Sequence, residues 1–252
     1  MEYLKPITCR VGGKTKLVKK LLPHVPPHDT YIEPFFGTGA LYFNKEPAKR
    51  EIINDLDRSV AKLHKDIQKK KTLTCDLKGN KEKFGKLKDK KNRTPCEELY
   101  VVKNSFGCQG THFGSKIKGN QNYDKQIQRL KGTEIHNEDF RKTLKRTTSK
   151  DSFAYLDPPY DEKCNYGEGL CVTPEEVAKA AKQFPGKVMI SYNDTPKVRK
   201  AFKDFKIGTV VSRWAINNQT SMKRQMKKEL LIKNYKCKRT KDGTKCEKIE
   251  TK

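Results

Sequence analysis

The tetrapeptide Asp157-Pro158-Pro159-Tyr160 sets a carboxylate, two prolines and a phenol in succession, directly after the apolar run Phe153-Ala154-Tyr155-Leu156. Such a run predicts a buried strand, which puts the four residues at its carboxyl end, where ligands bind in open α/β sheets. Each proline lacks an N–H and keeps the chain extended, so the carbonyls there stay free to accept hydrogen bonds. An ionised carboxylate only accepts. An acceptor-only group, a free carbonyl and a flat ring in one crevice suit a planar base carrying an amino group. An ordinary Pro-Pro turn after a strand uses the same residues, so the rest of the chain must decide.

Three further stretches carry chemistry. Gly12-Gly13-Lys14 offers a glycine loop with a cation, followed by Leu17, Val18, Leu21 and Leu22 at helical spacing. The strand Thr30-Tyr31-Ile32 runs into Glu33-Pro34-Phe35-Phe36-Gly37-Thr38-Gly39-Ala40, with Leu41, Tyr42 and Phe43 opening a predicted helix. A second strand, Glu51 to Asn54, ends in the acidic pair Asp55 and Asp57.

The elements that position these groups have an α/β rhythm. Further strands are expected at Thr133 to His136, Phe153 to Leu156, Lys187 to Ser191, Gly208 to Ser212 and Glu229 to Ile232. Helices are expected from Pro174 to Gln183 and from Thr195 to Phe202. A long polar segment joins the last two strands, so these should pair antiparallel. The rhythm breaks from about Lys62 to Lys131, first with lysine-rich runs and then with the glycine-punctuated Asn104 to Gly114. The expected organisation is a catalytic domain of residues 1–61 and 132–252 and an inserted basic module of residues 62–131.

Charge limits the partner. The 252 residues hold 56 Lys+Arg against 30 Asp+Glu, a formal charge of +26. A field of that size gathers polyanions, and nucleic acid is the natural partner. No stretch is apolar enough to span a bilayer, and Met1 to Pro6 lacks the apolar run of a secretory signal, so the expected location is intracellular. The eight cysteines form no C-x-x-C pair and read as scattered intracellular thiols. None of the five histidines has ligand-spaced company, so no metal is expected.

In order, a Gly-Gly-Lys element, a Glu-Pro-Phe-Phe-Gly-Thr-Gly loop, a basic insertion and Asp-Pro-Pro-Tyr resemble the Dam-like (D12, alpha-group) DNA adenine-N6 methyltransferases, and the resemblance covers nearly the whole chain. It implies a Rossmann-like fold with a seven-stranded, mostly parallel sheet whose last strand is antiparallel, and a small inserted target-recognition domain. It also implies S-adenosylmethionine as cofactor and double-stranded DNA as partner. Lys14 would meet the methionine carboxylate. Glu33, Pro34, Phe35, Gly37, Thr38 and Gly39 would form the cofactor loop, and Asp55 would accept from the ribose hydroxyls. Asp139 and Phe140 would lie beside the cofactor adenine. The family usually carries an aromatic residue where this chain has Arg10, which alters one face of that pocket.

The same resemblance implies that Asp157-Pro158-Pro159-Tyr160 is the catalytic tetrapeptide, with Asp157 and the Pro158 carbonyl accepting both amino hydrogens of a flipped-out adenine and Tyr160 stacking on the base. Asn104, Phe106, Gln109 and Phe113 are the candidates for reading or wedging bases. Arg213, Lys223, Arg224 and Lys227 resemble the family's basic hairpin, and Tyr166 to Gly169 is a candidate lid. Two alternatives stay open on sequence: transfer to another nucleobase amine, such as cytosine N4 in DNA or guanine N2 in RNA, and a binding module that has lost catalysis.

Overall fold

The computed structural model describes residues 3–114, 117, 119–160, 172–213, 226–240 and 243–249. Its centre is a seven-stranded sheet built from β1 (Thr30–Glu33), β2 (Arg50–Asn54), β5 (Glu134–His136), β6 (Ser152–Leu156), β7 (Lys187–Asn193), β8 (Lys206–Arg213) and β9 (Met226–Lys233). The spatial order is β5-β2-β1-β6-β7-β9-β8. The first five of these are parallel, and β9 runs antiparallel to both β7 and β8. All seven expected strands are present, with the antiparallel end that the long polar connection predicts.

Burial of both faces explains why the central strands read as unbroken apolar runs. Side chains alternate between two cores: Tyr31, Ile53, Phe153 and Tyr155 face one, while Ile32, Ile52, Ala154 and Leu156 face the other. Helices α7 (Pro174–Gln183) and α8 (Pro196–Ala201) belong to the second core, and α2 (Arg58–Gln68) to the first. The α7 start is set by a capping box of Thr173 and Glu176 with Pro174 in the first turn, a start signal carried by local sequence.

Between α2 and α5 (Asp124–Leu130) the chain leaves the seven-stranded sheet, while its apolar residues join the first core. Here a two-stranded antiparallel ribbon, β3 (Thr74–Asp76) with β4 (Asn120–Asn122), flanks α3 (Lys81–Lys88) and α4 (Pro95–Asn104). A second ribbon, β10 (Tyr235–Thr240) with β11 (Gly243–Lys248), follows the sheet and was not foreseen.

Two expectations are corrected. Residues 40–44 form successive turns instead of a helix. Ala40, Leu41, Tyr42 and Phe43 are all buried, and Tyr42 spends its hydroxyl on Arg129 O and Thr133 Oγ1. Phe43 N–H and Lys45 N–H bond four residues back, to Gly39 O and Leu41 O, but Asn44 N–H between them bonds only three back to Leu41 O, so a continuous helical ladder does not form. The described cysteines are not thiols either: Cys9–Cys108, Cys75–Cys96 and Cys237–Cys246 are disulfides, and none of those described is free.

Candidate active site

The carboxyl ends of β1, β2 and β6 open onto one cleft, and its lining draws on four separated stretches: 10–14, 33–41, 54–57 and 155–160, joined by Asp139, Phe140, Arg141 and Val172. Arg10, Lys14, Glu33, Pro34, Phe35, Gly37, Thr38, Asp55, Asp139, Phe140, Asp157, Pro158, Pro159 and Tyr160 all line it. Gly39 does not. Its φ is +64°, and a Cβ there would lie 2.2 Å from the Phe36 ring, so this glycine serves packing beneath the loop. Gly37, at φ +51° with open space around its missing Cβ, is needed for the turn.

At the centre, Lys14 Nζ lies 2.7 Å from Asp157 Oδ1 and 3.9 Å from Glu229 Oε2. Lys14 and Glu229 are each only 6% exposed. The lysine stays tied to its own loop by donating to Gly12 O at 2.9 Å, and it stands 5.2 Å from the Tyr160 ring centroid. Tyr160 stacks on Tyr192 with ring centroids 5.4 Å apart, and its hydroxyl donates to Glu229 Oε2 at 3.3 Å. Burial, with the charges of Asp157 and Glu229 beside it, pushes the Tyr160 phenol well above its ordinary range, so it remains a donor.

Asp55 is held by backbone. Its oxygens accept from Gly37 N–H at 2.7 Å and Asp57 N–H at 2.9 Å, which fixes the glycine turn against the end of β2. Burial raises its pKa, while those N–H groups and Arg10 oppose the rise. Arg10 donates to Asp57 Oδ2 at 2.7 Å, and Asp57 also caps α2 by accepting from Ser59 N–H. Phe35 and Phe140 form a ring pair with centroids 5.0 Å apart, and Asp139 caps α6 (Phe140–Leu144).

Glu33 is 2% exposed and accepts from the Tyr31 hydroxyl at 2.7 Å. Burial drives its pKa up to about 8; the Tyr31 bond opposes the rise and the charge of Asp157 adds to it. Glu33 is therefore mostly a neutral acid near neutrality.

Sequence reasoning passed over Glu229 and Asn54. The Asn54 amide donates to Pro34 O and Glu138 O and accepts from Glu138 N–H, so one buried side chain joins the 33–39 loop to the 137–139 loop. A polar residue ending an apolar strand was the available signal for Asn54. For Glu229 it was a carboxylate heading the run Leu230-Leu231-Ile232.

The nucleic-acid candidates separate. Asn104 is fully buried, donating to Leu77 O and Tyr100 O and accepting from Ile117 N–H, so its amide is spent inside the protein and not available to a base. Phe113, partly buried, packs edge-on to Phe84 against the first core. Phe106 and Gln109 are exposed. Lys223, Arg224 and the 166–169 loop lie outside the described residues, as do the side chains of Arg213 and Lys227.

The family described as D12 class N6 adenine-specific DNA methyltransferase matches residues 11–114 and 98–216. The chain is similar to the type II methyltransferase M.MjaIII of Methanocaldococcus jannaschii, with 25% identity over 92% of this chain and 99% of that protein. It is also similar to the type II methyltransferase M1.LlaDCHI of Lactococcus lactis subsp. cremoris, with 26% identity over 92% of this chain and 96% of that one. Among solved structures, Streptococcus mutans SMU.1697c in complex with SAH superposes with a TM-score of 0.38 at 11% identity, covering 88% of this chain and 99% of that one.

Proposed function

The chain belongs to the D12 class of N6 adenine-specific DNA methyltransferases, and we propose that it acts on a short site in duplex DNA through the Asp157–Tyr160 turn. The observation that carries this assignment is the Lys14–Asp157 contact of 2.7 Å, which brings the first and last motifs of the chain into one cleft. The methyl donor is S-adenosylmethionine, which when bound supplies a sulfonium methyl open to attack by an amine.

The cleft suits that donor. It offers one buried cation for a carboxylate in Lys14, a carboxylate for hydroxyls in Asp55, and an aromatic pair for a purine in Phe35 and Phe140. Arg10 replaces an aromatic face with a guanidinium steadied by Asp57. Guanidinium planes stack on rings, so this substitution retains a surface for the purine.

The chemical difficulty lies in the adenine amine, whose lone pair is delocalised into the ring. Asp157 and the Pro158 carbonyl accept its two hydrogens, which localises the lone pair on nitrogen. The charge of Asp157 offsets the positive charge that develops there, and alignment of the reactants supplies much of the remaining rate. Tyr160, fixed between Tyr192 and Glu229, presents its ring to the base. Lys14, paired with Asp157 at 2.7 Å and tied to Gly12 O, would hold the donor's carboxylate beside the acceptor that meets the amine. We assign residues 62–131 to target recognition, with Phe106 and Gln109 on the DNA side.

Incubating the protein with labelled S-adenosylmethionine and mixed-sequence DNA, then mapping modified bases, tests the assignment. Label on adenine N6 within one short motif is expected. Label elsewhere, or transfer that survives Asp157→Ala, overturns it.

A further inference from the structure

The ribbon of β10 and β11 lies beyond the catalytic sheet and contributes nothing to the lining of the cleft. Strand β9 carries Glu229 beside Lys14 and, four residues on, reaches Lys233, which pairs with Met189 near the start of β7. At ~3.4 Å per residue those two positions stand about 14 Å apart, so the chain enters the ribbon at the end of the sheet away from the cleft. The ribbon is firmly seated there. Asn234 and Tyr235 at its root are fully buried; the Asn234 amide accepts from Val188 N–H and donates to Gly186 O, and the Tyr235 hydroxyl donates to His24 O. At the other end Lys248 Nζ donates to Phe184 O, Ile249 N–H donates to Asn234 O, and Cys237–Cys246 joins the two strands.

The charge on this mount is arranged against stability. Lys238 stands directly opposite Lys245 across the ribbon, and Lys206 directly opposite Lys233 in the sheet beside it. Like charges in directly opposed positions destabilise a strand pair. Lys236 is two residues from Lys238 and so shares its face, and Lys236, Lys238, Lys245 and Lys206 are all exposed. Glu247, opposite Lys236, is the one carboxylate among the described ribbon residues. Burial and the charge of Lys206 push the Lys233 ammonium below its ordinary range, and burial and the charge of Lys150 do the same to Lys248. Elsewhere exposed lysines meet acids, as in Lys62–Asp66, Lys86–Glu82, Lys90–Glu97 and Lys49–Asp29. The high net charge is thus neutralised locally over much of the surface and left concentrated here.

We propose that the β10–β11 ribbon is a second duplex-binding surface, holding a segment of DNA on the far side of the sheet from the segment whose adenine is methylated. A two-stranded ribbon is one of the shapes that the major groove of B-DNA admits, whereas the deep, narrow major groove of an RNA helix excludes side chains. Lysines that meet phosphates fix position without reading bases, so this binding is independent of sequence and weakens with salt. The proposal rests on the DNA reading of the proposed function and adds a second site to it.

The test uses the full chain, saturated with a short unlabelled duplex that carries its mapped methylation site, and follows the anisotropy of a labelled duplex that lacks the site. Wild type is expected to take up the labelled duplex while keeping the first. The triple variant Lys236→Gln, Lys238→Gln, Lys245→Gln should bind the labelled duplex at least about tenfold more weakly and show a log–log salt slope flatter by up to about three. Its methylation of the short duplex should stay within about twofold of wild type, and its urea midpoint should hold or rise because the Lys238–Lys245 opposition is relieved. Lys236→Arg, Lys238→Arg, Lys245→Arg keeps the charge and should keep the second duplex. The proposal is overturned, with the methyltransferase assignment intact, if saturated wild type takes up no labelled duplex, if uptake survives the glutamine changes, if both triple variants lose it, or if RNA hairpins or phosphatidylserine vesicles bind in preference. Wild type that methylates no DNA overturns that assignment instead, and binding of the labelled duplex alone, compared across the same variants, then decides the role of the ribbon.

Discussion

Lys14 and Asp157 stand 2.7 Å apart, and Glu229 approaches the same ammonium at 3.9 Å, so one cation sits between two carboxylates in the floor of the cleft. On the proposed mechanism Asp157, which here balances the charge of Lys14, is also the acceptor of the amine. Asp157→Asn keeps the shape and puts a donor where an acceptor is required. Methyl transfer in single-turnover experiments should fall by at least about 100-fold, the scale seen when a preorganised electrostatic contact is lost. Cofactor affinity measured by calorimetry should change only a few-fold. Comparable losses in both would show that Asp157 serves binding and not transfer.

Glu229 holds Tyr160 by its hydroxyl and faces Lys14, yet it is not among the groups that would contact the amine. It is a positioning residue. Glu229→Gln still accepts the Tyr160 hydroxyl but removes a negative charge from beside Lys14, whereas Tyr160→Phe removes only the hydroxyl. The glutamine variant should bind cofactor at least as tightly as wild type, because one competitor for Lys14 is gone, and its kcat should fall several-fold as the Tyr160 tether weakens. The double variant should lose less than the product of the two single losses, since both act on one contact. A rise in cofactor KM with unchanged kcat would refute this role.

The sheet was legible because its strands are short, apolar and buried on both faces, and the cofactor loop was legible because glycine marks the turn. The failures have equally local causes. Leu41-Tyr42-Phe43 carries the composition of a helix start, but the backbone bonds there mix four-back and three-back partners, which composition does not reveal. Asn104 sits in a loop-like polar stretch, and only tertiary structure shows that its amide is spent on Leu77, Tyr100 and Ile117. Disulfide pairing was invisible because eight cysteines admit 105 complete pairings, and sequence spacing does not choose among them.

Glu33 gives the fold a pH dependence that can be isolated. Its folded pKa, raised by burial to about 8, lies above the ordinary value of 4.5. Between those values the folded chain holds a proton on Glu33 that the unfolded chain has released. Stability from this group is therefore complete at low pH, declines as pH rises from about 4.5, and is lost as pH passes about 8. Unfolding free energies from urea titrations at pH 5 and pH 8.5 should differ by a few kcal/mol more in wild type than in Glu33→Gln, which keeps an acceptor for Tyr31 but cannot ionise. Parallel pH profiles for the two proteins would place the ionisation of Glu33 elsewhere.

The Cys9–Cys108 bond closes a sequence separation of 99 residues, whereas Cys237–Cys246 closes only 9. In the chain-entropy account, cross-linking restricts the unfolded chain more as the loop grows, by about 2 kcal/mol between loops of these sizes. Replacing Cys9 and Cys108 together with serine should therefore lower the unfolding free energy more than the same change at Cys237 and Cys246. The first pair should also cost activity, because it frees the residue next to Arg10 and Val11 of the cleft lining from its cross-link to Cys108. The second pair staples a ribbon that follows the catalytic sheet, and its loss should leave methylation within a few-fold of wild type. Urea midpoints and methylation rates for both double variants decide the matter. Equal destabilisation would assign the effect to local packing around each bond, and an unaltered methylation rate without Cys9–Cys108 would show that this bond does not shape the cleft.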